Sequence, residues 1–173
     1  MFNFRTKSKS LRLLFSLIAL FAFLSVDSFG QTNEETIDSA KTASGELKLV
    51  KISDGDIERI VIKLGDKLLT DGTNNGAVGG EIYRGFPAKT CKIFLIEFAN
   101  GSFACNAQFV IVDLSGKSPK VSKEFGNCGS MPKIIYKNQS LTLTFPQGRE
   151  DETYKSGNRQ VWRYEKGKLQ RIK

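Results

Sequence analysis

From residue 46 onward the chain falls into short apolar runs punctuated by Gly, Asn and Asp, the first of them alternating apolar with polar residues, a pattern of strands and turns. Residues 46–52 set Leu47 and Leu49 against Lys48 and Lys51. Asp54-Gly55-Asp56 marks a turn, and residues 57–64 (IERIVIKL) complete a hairpin. Gly65-Asp66 closes that run, and residues 67–69 add a short third strand. The strongest strand signal is 91–99 (CKIFLIEFA), apolar on both faces and therefore expected at the centre of a sheet. Asn100-Gly101 supplies a tight turn to an antiparallel partner at 107–114 (AQFVIVDL). Further strands are expected at 119–122, 133–137, 141–145, 161–164 and 168–172, the last two joined by Lys166-Gly167. No stretch after residue 30 carries a 3.6-residue apolar period. The expected fold class is all-β, an antiparallel meander forming a sandwich, a barrel or a propeller-like sheet.

Two polar stretches interrupt this rhythm. Residues 70–80 (TDGTNNGAVGG) read as a loop, as do residues 147–158 (QGREDETYKSGN). Residues 31–45 (QTNEETIDSAKTASG) hold one large apolar side chain, Ile37, and read as a flexible polar lead-in to a single β domain over 46–173.

The first thirty residues follow a different pattern. Arg5, Lys7, Lys9 and Arg12 precede the apolar run 13–24 (LLFSLIALFAFL), and Ser28-Phe29-Gly30 offers small residues at the two positions a signal peptidase reads. Residues 1–30 are therefore expected to be a signal peptide cleaved before Gln31. A helix over the apolar run rises about 1.5 Å per residue, too little for a ~30 Å hydrocarbon core, although a retained anchor is the competing reading. Lipidation is not expected, because the first cysteine is Cys91. The implied address is the periplasm or the medium of a bacterium, with no membrane span after cleavage.

Export changes the reading of the three cysteines, since thiols outside the cytoplasm are commonly oxidised. Cys105 and Cys128 flank turn-like segments on either side of one expected strand and form the favoured disulfide, worth about 3 kcal/mol in a chain-entropy account. Cys91 with Cys105 is the alternative pair; otherwise Cys91 is an inert core thiol.

The net charge is +8, of which the leader carries +3 and the remainder +5. Such a moderately basic exported domain is drawn towards anionic partners, whether an envelope protein, a cell-wall polymer or a lipid surface. Its basic residues cluster at the C-terminus. Arg159, Arg163 and Lys168 are interleaved there with Trp162 and Tyr164, the residue types that dominate binding energy at interfaces, and these five form the candidate partner-binding set; the competing reading is a final β-hairpin with a basic solvent face and Trp162 in the core. Nucleic acid is not an expected partner outside the cell.

The chain contains no histidine. That removes Ser-His-Asp and Cys-His nucleophiles, histidine zinc sites and the usual proton shuttle near neutrality. No P-loop, dinucleotide-binding glycine motif or nucleophile elbow occurs, and no cofactor or metal is implied. Asp71-Gly72-Thr73-Asn74-Asn75-Gly76 partly echoes a calcium loop, but the twelfth position is Ile82 and Glu81 falls one residue early, so a Gly/Asn turn is expected. A carboxylate pair remains chemically open. Among Glu97, Asp113 and Glu124, the first two stand out because each interrupts an apolar run.

Residues 102–107 (SFACNA), the strand through Leu114, Glu124-Phe125-Gly126-Asn127-Cys128 and Met131-Pro132-Lys133 resemble a loose group of small exported bacterial proteins of unknown function. The group shares a Cys before a central strand and an F-G-x-C turn, and the likeness covers residues 89–146. It implies the Cys105–Cys128 pairing by analogy and brings no catalytic residues. The leading expectation is a non-enzymatic exported binding module of inhibitor or immunity type. The alternatives are a carboxylate-dependent glycan-acting enzyme and an envelope structural component.

Overall fold

The computed structural model describes residues 33–55, 57–70, 77–102, 105–127, 131–147 and 158–173, without the side chains of 100–102, 105 and 106. The leader, the calcium-like loop at 71–76, Cys128 and most of the second polar loop lie outside these residues, as does the Cys105–Cys128 bond.

The described chain is all-β and antiparallel, in three open four-stranded meanders taken in sequence order. The first sheet holds β1 (Asn33–Thr42), β2 (Gly45–Asp54), β3 (Ile57–Leu64) and β4 (Lys67–Thr70). The second holds β5 (Ala77–Phe86), β6 (Ile93–Ser102), β7 (Cys105–Asp113) and β8 (Lys120–Val121). The third holds β9 (Lys133–Lys137), β10 (Ser140–Phe145), β11 (Gln160–Glu165) and β12 (Lys168–Arg171). No helix among the described residues is long and apolar enough to cross a membrane.

The apolar pattern of β6 and β7 dictates the layering. Strands buried on both faces need cover on both sides. Phe94, Ile96, Phe98, Val110 and Val112 pack against Leu47, Leu49, Ile60 and Ile62 of the first sheet. On the opposite face, Ile93, Leu95, Phe109 and Ile111 pack against Leu141, Leu143, Phe145 and Tyr164 of the third. The middle sheet thus belongs to two cores, and Phe109, Phe125 and Phe145 meet ring to ring within the second, with centroids 5.3–6.2 Å apart. On the far face of the first sheet Val50, Ile52 and Val61 form a small third cluster, where the Lys63–Glu34 ion pair (2.6 Å) spans β2.

Four expectations need correction. Residues 33–42 are not a flexible lead-in: they form ten-residue β1, paired along β2, so the folded unit begins at Asn33 rather than residue 46. Residues 77–80 are not loop but the start of β5. A Cβ on Gly80 would stand 2.9 Å from the Glu97 carbonyl oxygen, so glycine there permits close backbone approach. Asn100-Gly101 is not the hairpin turn, because β6 continues to Ser102, which pairs with Cys105. Cys91 is not inside the strand; it precedes β6 with φ +40°, half-buried, as a free thiol whose Sγ lies 3.4 Å from the Ala88 carbonyl oxygen.

Candidate functional site

The ends of the second and third sheets enclose a polar cleft of about 680 Å³. Its walls come from three kinds of segment. The β5–β6 connection turns through a cis Phe86–Pro87 bond, and Thr90 and Cys91 donate their amides to the Pro87 carbonyl. Lys92 is held beside the end of β7, its amide donating to Phe86 O (2.9 Å) and its carbonyl accepting from Leu114 N (2.7 Å). The β7–β8 loop contributes Ser115 and Ser118, and β8 contributes Lys120. The third sheet contributes two adjacent two-residue turns, Asn138-Gln139 and Lys166-Gly167, with φ between 51° and 76° at all four positions. Positive φ at both central residues matches the twist of the flanking strands, so these turns are rigid rims.

Asp113 forms the floor. It is 5% exposed, at the last position of β7 and opposite Lys120 in the ladder. Its Oδ1 accepts from the Ser115 amide (2.8 Å) and hydroxyl (2.5 Å), and its Oδ2 accepts from the buried Tyr164 hydroxyl (2.7 Å). Burial pushes the Asp113 pKa up; the Ser115 and Tyr164 hydrogen bonds and the charge of Lys120 outweigh it, holding the group below the ordinary carboxylate value. Burial, reinforced by the hydrogen bond to this carboxylate, drives the Tyr164 pKa well above the ordinary phenol value. Asp113 is therefore an anion held by three hydrogen bonds and Tyr164 a fixed donor at neutral pH, and neither is poised to exchange a proton.

Around this floor Lys92, Lys120 and Lys166 are exposed, and none makes an ion pair within 4 Å among the described residues. Glu165 is the other acid of the rim. A Cβ on Gly167 would meet Lys120 Nζ at 2.7 Å, so the missing side chain makes room for that lysine. The arrangement offers cationic and hydroxyl donors to an incoming acceptor.

The carboxylate pair singled out from the sequence is not assembled. Asp113 lies opposite Ile93 and Glu97 lies opposite Phe109, on one face but four residues apart along β6, roughly 13 Å. Only Asp113 borders the cleft. Burial and the facing Glu81, its cross-strand neighbour, raise the Glu97 pKa. Glu124 lies on neither strand and has one buried carboxylate oxygen, Oε1, without a partner. Among the described residues no cluster of three potential metal ligands occurs.

Strand alternation divides the C-terminal set. Trp162 and Tyr164 face the second core, whereas Arg163 faces outward between them. The Trp162 ring packs against Phe125 (5.4 Å), its Nε1 donates to Gln160 Oε1 (2.8 Å), and Lys123 Nζ stands 6.0 Å from its centroid. Arg159 is exposed just before β11, and Lys168 is exposed opposite Glu165. Tyr164 is the one member of the set that borders the cleft. Lys92, Lys120 and Ser115 carry no joint sequence signal, because two connections and a two-residue strand place them singly along the chain.

In comparisons with known proteins, no family model, no curated protein and no solved structure matches the chain.

Proposed function

We propose that the chain is a non-enzymatic exported binding module of the bacterial cell envelope, of inhibitor or immunity type, and that its cleft receives an acidic segment of a protein partner. The observation that carries this reading is the ring of three lysines, without ion-pair partners among the described residues, around a carboxylate that already accepts three hydrogen bonds. Acidic side chains entering the cleft gain charge-assisted hydrogen bonds, and the rigid two-residue turns lose little freedom on binding. The cationic, apolar leader supports export, and the likeness to small exported proteins supports a Cys105–Cys128 disulfide in the mature protein. The absence of histidine supports a role without acid–base chemistry near neutral pH.

The test is affinity capture from an envelope extract at low salt, comparing the wild type with Lys92→Glu/Lys166→Glu. Both lysines are exposed, so circular dichroism should be unchanged. The expected result is an envelope protein retained by the wild type, released by salt and lost with the double reversal. Equal capture by both proteins, or capture of nothing by either, would overturn the reading.

A further inference from the structure

We propose that the outward face of the third sheet docks on an anionic lipid bilayer. This surface meets the rim of the cleft at Glu165, and its cations lie outside the cleft. Strand alternation and register place Lys133, Ile135 and Lys137 of β9, Arg163 of β11 and Lys168 of β12 together on that face, with Glu165 the acid among them. Their opposite-facing neighbours Ile134, Tyr136, Trp162 and Leu169 pack into the second core. With strands about 4.8 Å apart and residues about 3.3 Å apart along each strand, the patch measures roughly 14 Å by 13 Å. Its four cations are all exposed.

Charge alone would suit any polyanion, and the apolar side chains narrow the choice. Ile135 is 50% exposed between Lys133 and Lys137, and Ile172, whose amide donates to the Val161 carbonyl, is 48% exposed. A hydrated acidic polymer offers an isoleucine nothing. A bilayer interface takes both kinds of group, phosphate headgroups pairing with the cations and the acyl boundary receiving the apolar tips. The net charge of +5 beyond residue 30 adds long-range attraction to such a surface.

The experiment is vesicle co-sedimentation of the protein in the form found in the cell, with phosphatidylglycerol–phosphatidylcholine vesicles against phosphatidylcholine alone. Wild type and variants share one N-terminus, so any contribution it makes cancels in the comparison. Lys133→Gln/Lys137→Gln is expected to weaken binding to anionic vesicles by roughly 20- to 30-fold. Lys67→Gln/Lys117→Gln, which removes two exposed lysines elsewhere, is expected to change it little. Ile135→Ser should weaken vesicle binding about fivefold and leave binding to an acidic polysaccharide unaltered. Equal affinity for neutral and anionic vesicles, equal losses from the two lysine pairs, or binding to the polysaccharide but not to vesicles would each overturn the proposal.

Discussion

Asp113 ends β7 in a run of apolar residues, where an unpaired carboxylate would be costly, and it holds its charge because three donors converge on it. Two of those donors belong to Ser115, close enough in sequence to be reached by a turn. The third, Tyr164, is 51 residues away and arrives with another sheet. Because the folded-state pKa is depressed, the carboxylate stabilises the fold above its unfolded value near 4, and this contribution fades as the pH falls through the folded value. Asp113→Asn is expected to lower stability by about 1.5–3 kcal/mol at pH 7, with a gap that narrows progressively below about pH 4. Urea titrations of both proteins across that range check it; a gap independent of pH would contradict it. An acid inside an apolar run marked this position in the sequence, whereas nothing in the sequence pointed to its partner.

At the scale of elements, β1 shows how a strand escapes a reading based on apolar alternation. Its exposed face is polar, and Ile37 and Ala40 are the side chains it lends to the first core. What else holds it is ladder pairing with β2, the Glu34–Lys63 ion pair to β3 and one polar contact to another sheet. Register shifts occur in β1 between Thr36 and Asp38 and in β5 between Ile82 and Arg84. Asp38 Oδ2 accepts the Ile82 amide at 2.7 Å. A bulge disrupts the ladder locally, and here a carboxylate on the neighbouring sheet takes the amide beside it. Asp38→Ala is expected to cost about 1–3 kcal/mol in a denaturant titration, whereas a flexible lead-in would give no change. Strands marked by a dense apolar run were legible: β3 and β9 have the bounds the sequence predicts.

For the whole molecule, the shared middle sheet makes the two main cores interdependent. Loss of β6 and β7 would open both, so neither outer sheet retains an apolar partner once the middle one unravels. Unfolding in urea is therefore expected as one transition, with Trp162 fluorescence, which reports the third sheet, coinciding with far-ultraviolet circular dichroism, which reports all three. Separate midpoints would show that the sheets unfold independently.

The sequence by itself determined that the chain is built of strands, that those near residues 91–114 lie at its centre, and that histidine chemistry is absent. These are local properties, written in a period of two and in composition. Tertiary structure alone decided that three meanders stack, that Lys92, Lys120 and Lys166 ring one cleft, and that Asp113 and Glu97 stay apart. Those outcomes depend on strand register and on which sheet faces cover one another. Both are set by the summed fit of side chains distant in the chain, which no single window of sequence contains.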